Sequence, residues 1–111
     1  MSATVCYEVN ITLDSAIEAD YRAWLAEHVA QMLALPGFVS ARVLDVRDPV
    51  PADGHVALCV QYWLADAAAL QDYFDQHAAR LRGDGMARFG GRFSATRRVL
   101  QAHLHSGAPL P

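Results

Sequence analysis

From Val5 to Leu13 the chain alternates apolar and polar residues, with Val5, Tyr7, Val9, Ile11 and Leu13 on one side and Cys6, Glu8, Asn10 and Thr12 on the other. Strand side chains point alternately to opposite faces, so the pattern predicts a half-buried strand with the odd set in the core. The period then changes. Ile17, Tyr21, Trp24, Leu25, His28, Val29, Met32 and Leu35 fall three or four apart, which predicts a helix over Ile17–Leu35. Ser15 and Glu18 fit a capping box at its start, and Pro36 with Gly37 ends it. Val39–Val46 is extended again, and Asp48–Gly54, with two prolines and a closing glycine, reads as a hairpin loop. In Val56–Leu64 the residues Val56, Leu58, Val60, Tyr62 and Leu64 share a face opposite Ala57, Cys59, Gln61 and Trp63. Asp66 is placed to cap a second helix over Ala67–Leu81, striped by Leu70, Tyr73, Phe74, His77 and Leu81 and stopped by Gly83. Asp84–Phe89 can add a helical turn before Gly90 and Gly91. Phe93–Leu104 returns to a β-rich pattern in which Arg97 and Arg98 alternate faces, and either neighbour set fits the core.

Strand, helix, strand, strand, helix, strand is the order of a ferredoxin-like βαββαβ sandwich, an α+β fold with an antiparallel sheet and its helices on one face. A length of 111 residues, 53% of them hydrophobic and 19% charged, fits one globular domain over residues 1–105, followed by a C-terminal tail at 106–111 that no pattern holds down. No apolar run approaches the ~20 residues of a membrane span, so no membrane partner is expected. Met1–Thr4 carries neither a basic region nor a signal-type apolar core, and a cytoplasmic location is expected. The formal net charge of −3 leaves no footprint for a phosphate backbone. Trp63 is the one aromatic among the outward residues of the predicted central strands, so no nucleic-acid partner is expected either. Cys6 and Cys59 lack metal-type spacing and read as free thiols on the face opposite the main apolar stripe.

Two places carry chemistry. His28 sits in the first helix stripe with Trp24 and Met32, and His77 sits in the second with Phe74 and Leu81. A neutral imidazole there can accept a proton or a hydrogen bond. The alternative is a helix-edge histidine whose ring packs on the core. No Asp or Glu stands at ligand-like spacing on either helix, so no metal is expected. The other place is the outer sheet face, where Glu8, Asn10, Gln61 and Trp63 stand together, joined by Arg98 in one register of the last strand. Polar side chains beside an outward tryptophan fit a covered face, and in a fold whose helices cover only one side a second copy can supply the cover. Phosphate loops, dinucleotide-binding glycine motifs and nucleophile elbows are absent from the sequence.

Leu35–Ala41, between the first helix and second strand, resembles the dimeric α/β-barrel superfamily, which includes antibiotic-biosynthesis monooxygenase-like proteins. Tyr7–Asn10, Val60–Tyr62, Arg88–Gly90 and Ala95–Leu100 are similar to a small family known only as a domain of unknown function, over about residues 5–101. The resemblance implies a homodimer with sheets packed face to face, and a pocket between helices and sheet in each protomer. Some members of the superfamily oxidise aromatic polyketides without a cofactor, and others bind or degrade haem. Asn10 and His77 are residue types that the haem-degrading relatives use, while the tryptophan of that set has no clean counterpart.

The combined expectation is a homodimeric barrel protein that binds a small, partly apolar or aromatic molecule and needs no cofactor. Trp24, His28, Tyr62, Phe74 and His77 are expected to line the pocket, with Arg88 at its rim for an acidic group. The rival readings are a cofactor-independent monooxygenase acting on an aromatic substrate, and a structural or regulatory dimer with a filled core.

Overall fold

The computed structural model describes residues 3–108. Four strands form one antiparallel sheet: β1 (Val5–Asp14), β2 (Phe38–Asp45), β3 (His55–Leu64) and β4 (Phe93–Gln101), in the spatial order β2-β3-β1-β4. Three helices, α1 (Glu18–Leu33), α2 (Ala67–Gln76) and α3 (Ala78–Phe89), fill the two connections that cross the sheet. The order and pairing are those of the ferredoxin-like α+β sandwich expected from the period changes. No helix of the described residues is long and apolar enough to cross a membrane. The expected tail at 106–111 lies outside the described residues from position 109 onward; Ser106 to Ala108 are exposed.

Register decides which side chains reach the helices. Tyr7 lies opposite Tyr62, Val9 opposite Val60 and Ile11 opposite Leu58, so the odd residues of β1 and the even residues of β3 share one face. That face is the core side. Val5, Tyr7, Ile11, Leu13, Leu58, Val60, Tyr62 and Leu64 are all buried, and Tyr21, Leu25, Met32, Leu70, Tyr73 and Leu81 close over them from the helices. The pairing also fixes β4, whose sequence left two choices. Arg97 lies opposite Val9 and faces the helices, whereas Arg98 lies opposite Glu8 and faces away.

Three local expectations are corrected. Asp14, rather than Ser15 with Glu18, caps the start of the first helical segment: its Oδ1 accepts from the Ala16 backbone N–H at 2.9 Å in a short 3₁₀ turn, and Glu18 is engaged by Arg22 at 2.9 Å. The second helix is two. It breaks at His77, where φ is −129° and ψ −28°, and α3 continues past Gly83 to Phe89. The break re-aims α3 so that Ala78, Leu81, Gly85 and Phe89 face inward, a demand of distant packing that the local stripe does not carry. Asp66 does cap α2, accepting from the Ala69 N–H at 2.9 Å. Gly37 turns the chain from α1 into β2 with φ +84°, and a Cβ there would stand 2.3 Å from that of Ala69, so this turn takes only glycine.

Candidate functional site

Between the helices and the sheet lies a cavity of about 50 Å³. Its floor is Tyr7, Val9 and Ile11 of β1 with Val60 and Tyr62 of β3, and α1 contributes Tyr21, Trp24 and His28. Tyr73 and Arg82 enter from α2 and α3, and Arg97 from β4. Six aromatic residues, Tyr7, Tyr21, Trp24, Tyr62, Tyr73 and Phe93, share this wall with aliphatic ones such as Ile11, Met32 and Leu81. Tyr7 stands 6.1 Å from Tyr62 and 5.6 Å from Tyr73, and Tyr21 stands 5.4 Å from Trp24, measured between ring centroids. A wider groove of about 190 Å³ between α1 and β2 is open to solvent. The charged side chain there, Arg22, is already met by Glu18 and Asp45.

Trp24 and His28 are one helical turn apart, and their rings stack at 4.7 Å with an angle of 20°. Trp24 is held from the far side by α3: its Nε1 donates to Asp84 Oδ2 at 2.8 Å, and the benzo edge lies against Gly85, where a Cβ would come within 2.9 Å of it. A fixed indole fixes the imidazole stacked on it. His28 Nδ1 is buried and has no hydrogen-bond partner. Burial pushes the imidazole below its usual pKa against the opposing pull of Asp84, so the ring is neutral at physiological pH.

Arg82 is the second polar group in the wall. One terminal nitrogen, Nη2, donates to the Tyr7 hydroxyl at 2.8 Å, and the guanidinium lies 5.8 Å over the Phe74 ring. Its Nε is buried without a partner. Burial raises the Tyr21 and Tyr73 hydroxyls to about 12 and raises that of Tyr62 as well. These phenols therefore stay protonated, so they can donate hydrogen bonds but cannot serve as bases.

Of the residues named from the sequence, Trp24, His28 and Tyr62 are brought together in the cavity wall. Phe74, His77 and Arg88 are not. Phe74 packs behind the wall, edge-on to Tyr7 at 5.5 Å. His77 occupies the α2–α3 break, and its Nδ1 lies 3.0 Å from Arg80. Arg88 is exposed and lies 5.5 Å over Phe89. Arg82 and Arg97 are not among the residues expected in the wall, because charged side chains mostly face solvent. Two signals place them in hindsight: Arg82 falls on the inward stripe of Ala78, Leu81, Gly85 and Phe89, and the parity of β1 puts Arg97 beside Val9. Asn10 and His77, the residue types shared with haem-degrading relatives, do not converge. Asn10 lies on the outer sheet face, where its Nδ2 donates to Glu8 at 2.9 Å.

That outer face carries a ladder across all four strands. Arg42 Nη2 donates to Gln61 Oε1 at 2.9 Å, Gln61 Nε2 to Glu8 Oε2 at 3.1 Å, and Arg98 Nε to Glu8 Oε1 at 2.6 Å. Glu8 is only 3% exposed, and the Arg98 bond in the main holds its carboxyl at about 2. Trp63 stands one row away, opposite buried Cys6, and Cys59 lies opposite Asn10. Both thiols are free and share the face, two rows apart. Among the described residues no three His, Cys, Asp or Glu side chains gather as a metal site.

Comparison with solved structures agrees with the sandwich. A Deinococcus radiodurans protein assigned to the antibiotic biosynthesis monooxygenases matches with a TM-score of 0.71 and 10% identity, over 95% of this chain and 98% of that one. SnoaB, a cofactor-independent oxygenase from Streptomyces nogalater, matches with a TM-score of 0.60 and 18% identity, over 94% and 97%. MhuD, a haem-degrader from Mycobacterium tuberculosis whose structure holds two haems in its active site, matches with a TM-score of 0.61 and 16% identity, over 93% and 99%. At such identities the likeness is one of fold. No curated protein matches the chain in sequence. The strand register, the Pro-Gly turn into β2 and the segment order agree with the resemblance read from the sequence. Residues 4–103 match the family described as Domain of unknown function (DUF4286), and the chain belongs to that family.

Proposed function

We propose that the chain binds a small, partly apolar or aromatic molecule in the cavity between helices and sheet, and that it works as a homodimer joined through the outer sheet face. The observation that carries the ligand reading is a pair of unmet polar atoms, His28 Nδ1 and Arg82 Nε, in residues that line a largely apolar cavity. Protein interiors pack closely, and a buried polar group left unpaired costs about 1–3 kcal/mol. A core needed only for stability is better served by apolar side chains at both positions. A bound molecule with an acceptor for Arg82 and a polar group for His28 offsets that cost. At about 50 Å³ the cavity is far too small for a macrocycle such as haem, and a single ring, which needs roughly 150 Å³, enters once the lining side chains move apart. The cavity also weighs against a regulatory dimer with a filled core.

A second reading, turnover of an aromatic substrate without a cofactor, rests on His28 itself. A neutral ring with an unpaired nitrogen beside the cavity can take a proton from a phenol or enol. The oxygenase among the structures of this fold supports keeping it in view.

Thermal melts against single-ring aromatic acids and phenols, flavins and haem test the proposal. A ligand at a hundred times its Kd stabilises the native state by about 2.7 kcal/mol. Single-ring compounds are expected to raise the melting temperature, and flavin and haem are not. A panel in which no single-ring compound moves the melt contradicts the reading. Oxygen uptake with the compounds that bind separates binding from turnover.

A further inference from the structure

We infer that Arg82 and Arg97 form a carboxylate subsite at the cavity, so that the molecule bound there is a small aromatic acid; this rests on the cavity reading proposed above. The two guanidiniums come from different elements, Arg82 from α3 and Arg97 from the helix-facing side of β4, and both line the same cavity.

Three arginines are balanced by a carboxylate; among the described residues Arg42, Arg47, Arg80 and Arg88 are not, but of the unbalanced ones only Arg82 and Arg97 line the cavity. Arg22 meets Glu18 and Asp45, Arg92 meets Asp14, and Arg98 meets Glu8. Among the described residues neither Arg82 nor Arg97 meets a carboxylate. Acidic residues are not scarce, since Asp and Glu number 12 against 9 arginines. Two like charges lining one cavity, Arg82 partly covered and Arg97 exposed, repel each other, and an anion between them reverses the sign of that interaction. Arginine suits a planar carboxylate because its nitrogens form a fixed fork of donors. Arg82 has one arm on Tyr7 and an unspent Nε, and Arg97 brings a second fork from the opposite wall. Tyr73, still protonated, adds a neutral donor. The aromatic wall then takes the ring that carries the acid.

Calorimetric titration with matched pairs tests this: benzoate against benzamide, 4-hydroxybenzoate against its amide, and phenylacetate against its amide. The acids are expected to bind at least about tenfold more tightly than the amides, the scale of one charge-assisted hydrogen bond. Arg97→Gln should erase the preference, and about 0.5 M salt should shrink it. Arg97 is exposed, so this variant keeps its fold. Arg82→Gln, checked by circular dichroism, should lose the preference too. Equal affinity for acid and amide overturns the subsite and leaves the cavity reading standing. Unchanged acid preference in Arg97→Gln also overturns it. Binding of neither member of any pair overturns both.

Discussion

Glu8 shows how a charged residue becomes part of a sheet. It is almost fully covered, yet three side chains donate to its two oxygens, so the cost of taking a carboxylate from water is met within the protomer. Its folded pKa of about 2 lies below the ordinary 4.5. A depressed carboxyl contributes stability that is present above the unfolded value and lost as pH falls through the folded one. Glu8→Gln should therefore be less stable than wild type near pH 7 by about 2 kcal/mol, a figure discounted for the exposed Arg98 partner. The gap should close as pH falls from 4.5 toward 2, and urea melts across that range check it. His28 is shifted by the opposite kind of surroundings. Burial favours its neutral form, so its contribution is present above pH 6.5 and fades below it, and its ring should titrate below 6.5 by NMR. Asp84→Asn removes the charge that opposes burial and should lower that titration further, while an amide oxygen still accepts from Trp24.

The elements were legible where burial follows a simple period. All four strands and α1 stand within a few residues of the expected spans, because one covered sheet face forces strict alternation. The second helical region was not legible in the same way. Leu70, Tyr73, Phe74, His77 and Leu81 form one unbroken stripe, and the change of direction at His77 answers to Trp24 and Tyr21, far away in sequence. Gly83 looked like a stop for the same reason: local propensity disfavours it, and tertiary packing overrides propensity. The site was half legible. Trp24, His28 and Tyr62 could be found on the apolar stripes, whereas the arginines are the residue type least expected to point inward. Gly83 and Gly85 give this a test. No neighbour stands within 4 Å of a Cβ at Gly83, so Gly83→Ala should stabilise by roughly 0.5–1 kcal/mol through helix propensity. Gly85→Ala gains the same propensity but drives a methyl into an indole pinned by Asp84, and should destabilise by about 1 kcal/mol net. Thermal melts that show both variants shifting in one direction would sink this account of α3.

At the scale of the molecule the sheet has one face under helices and one without. The uncovered face holds a polar ladder that satisfies itself, flanked by a row of Trp63, Cys6 and Leu100 and by Leu44 on the edge strand. Such a surface can meet a second copy without stranding a charge. Light scattering at micromolar concentration should report twice 12.1 kDa, and Trp63→Glu should return the mass to that of a monomer by burying an unpaired charge. A monomeric wild type would contradict the dimer.

The binding site is the central claim, and His28→Ala tests it most directly. The substitution deletes an unpaired buried nitrogen, worth about 1–3 kcal/mol in relief, and also a ring stacked on Trp24. These offset, so the apo protein should stay within about 1 kcal/mol of wild type in urea. Calorimetric titration of both proteins with the tightest single-ring aromatic acid from the melt panel is the decisive measurement. The account predicts an affinity lost by tenfold or more, the scale of a buried hydrogen bond, in a variant whose apo stability is nearly unchanged. Unchanged affinity alongside a large loss of apo stability would contradict it, and would make His28 a residue of the core.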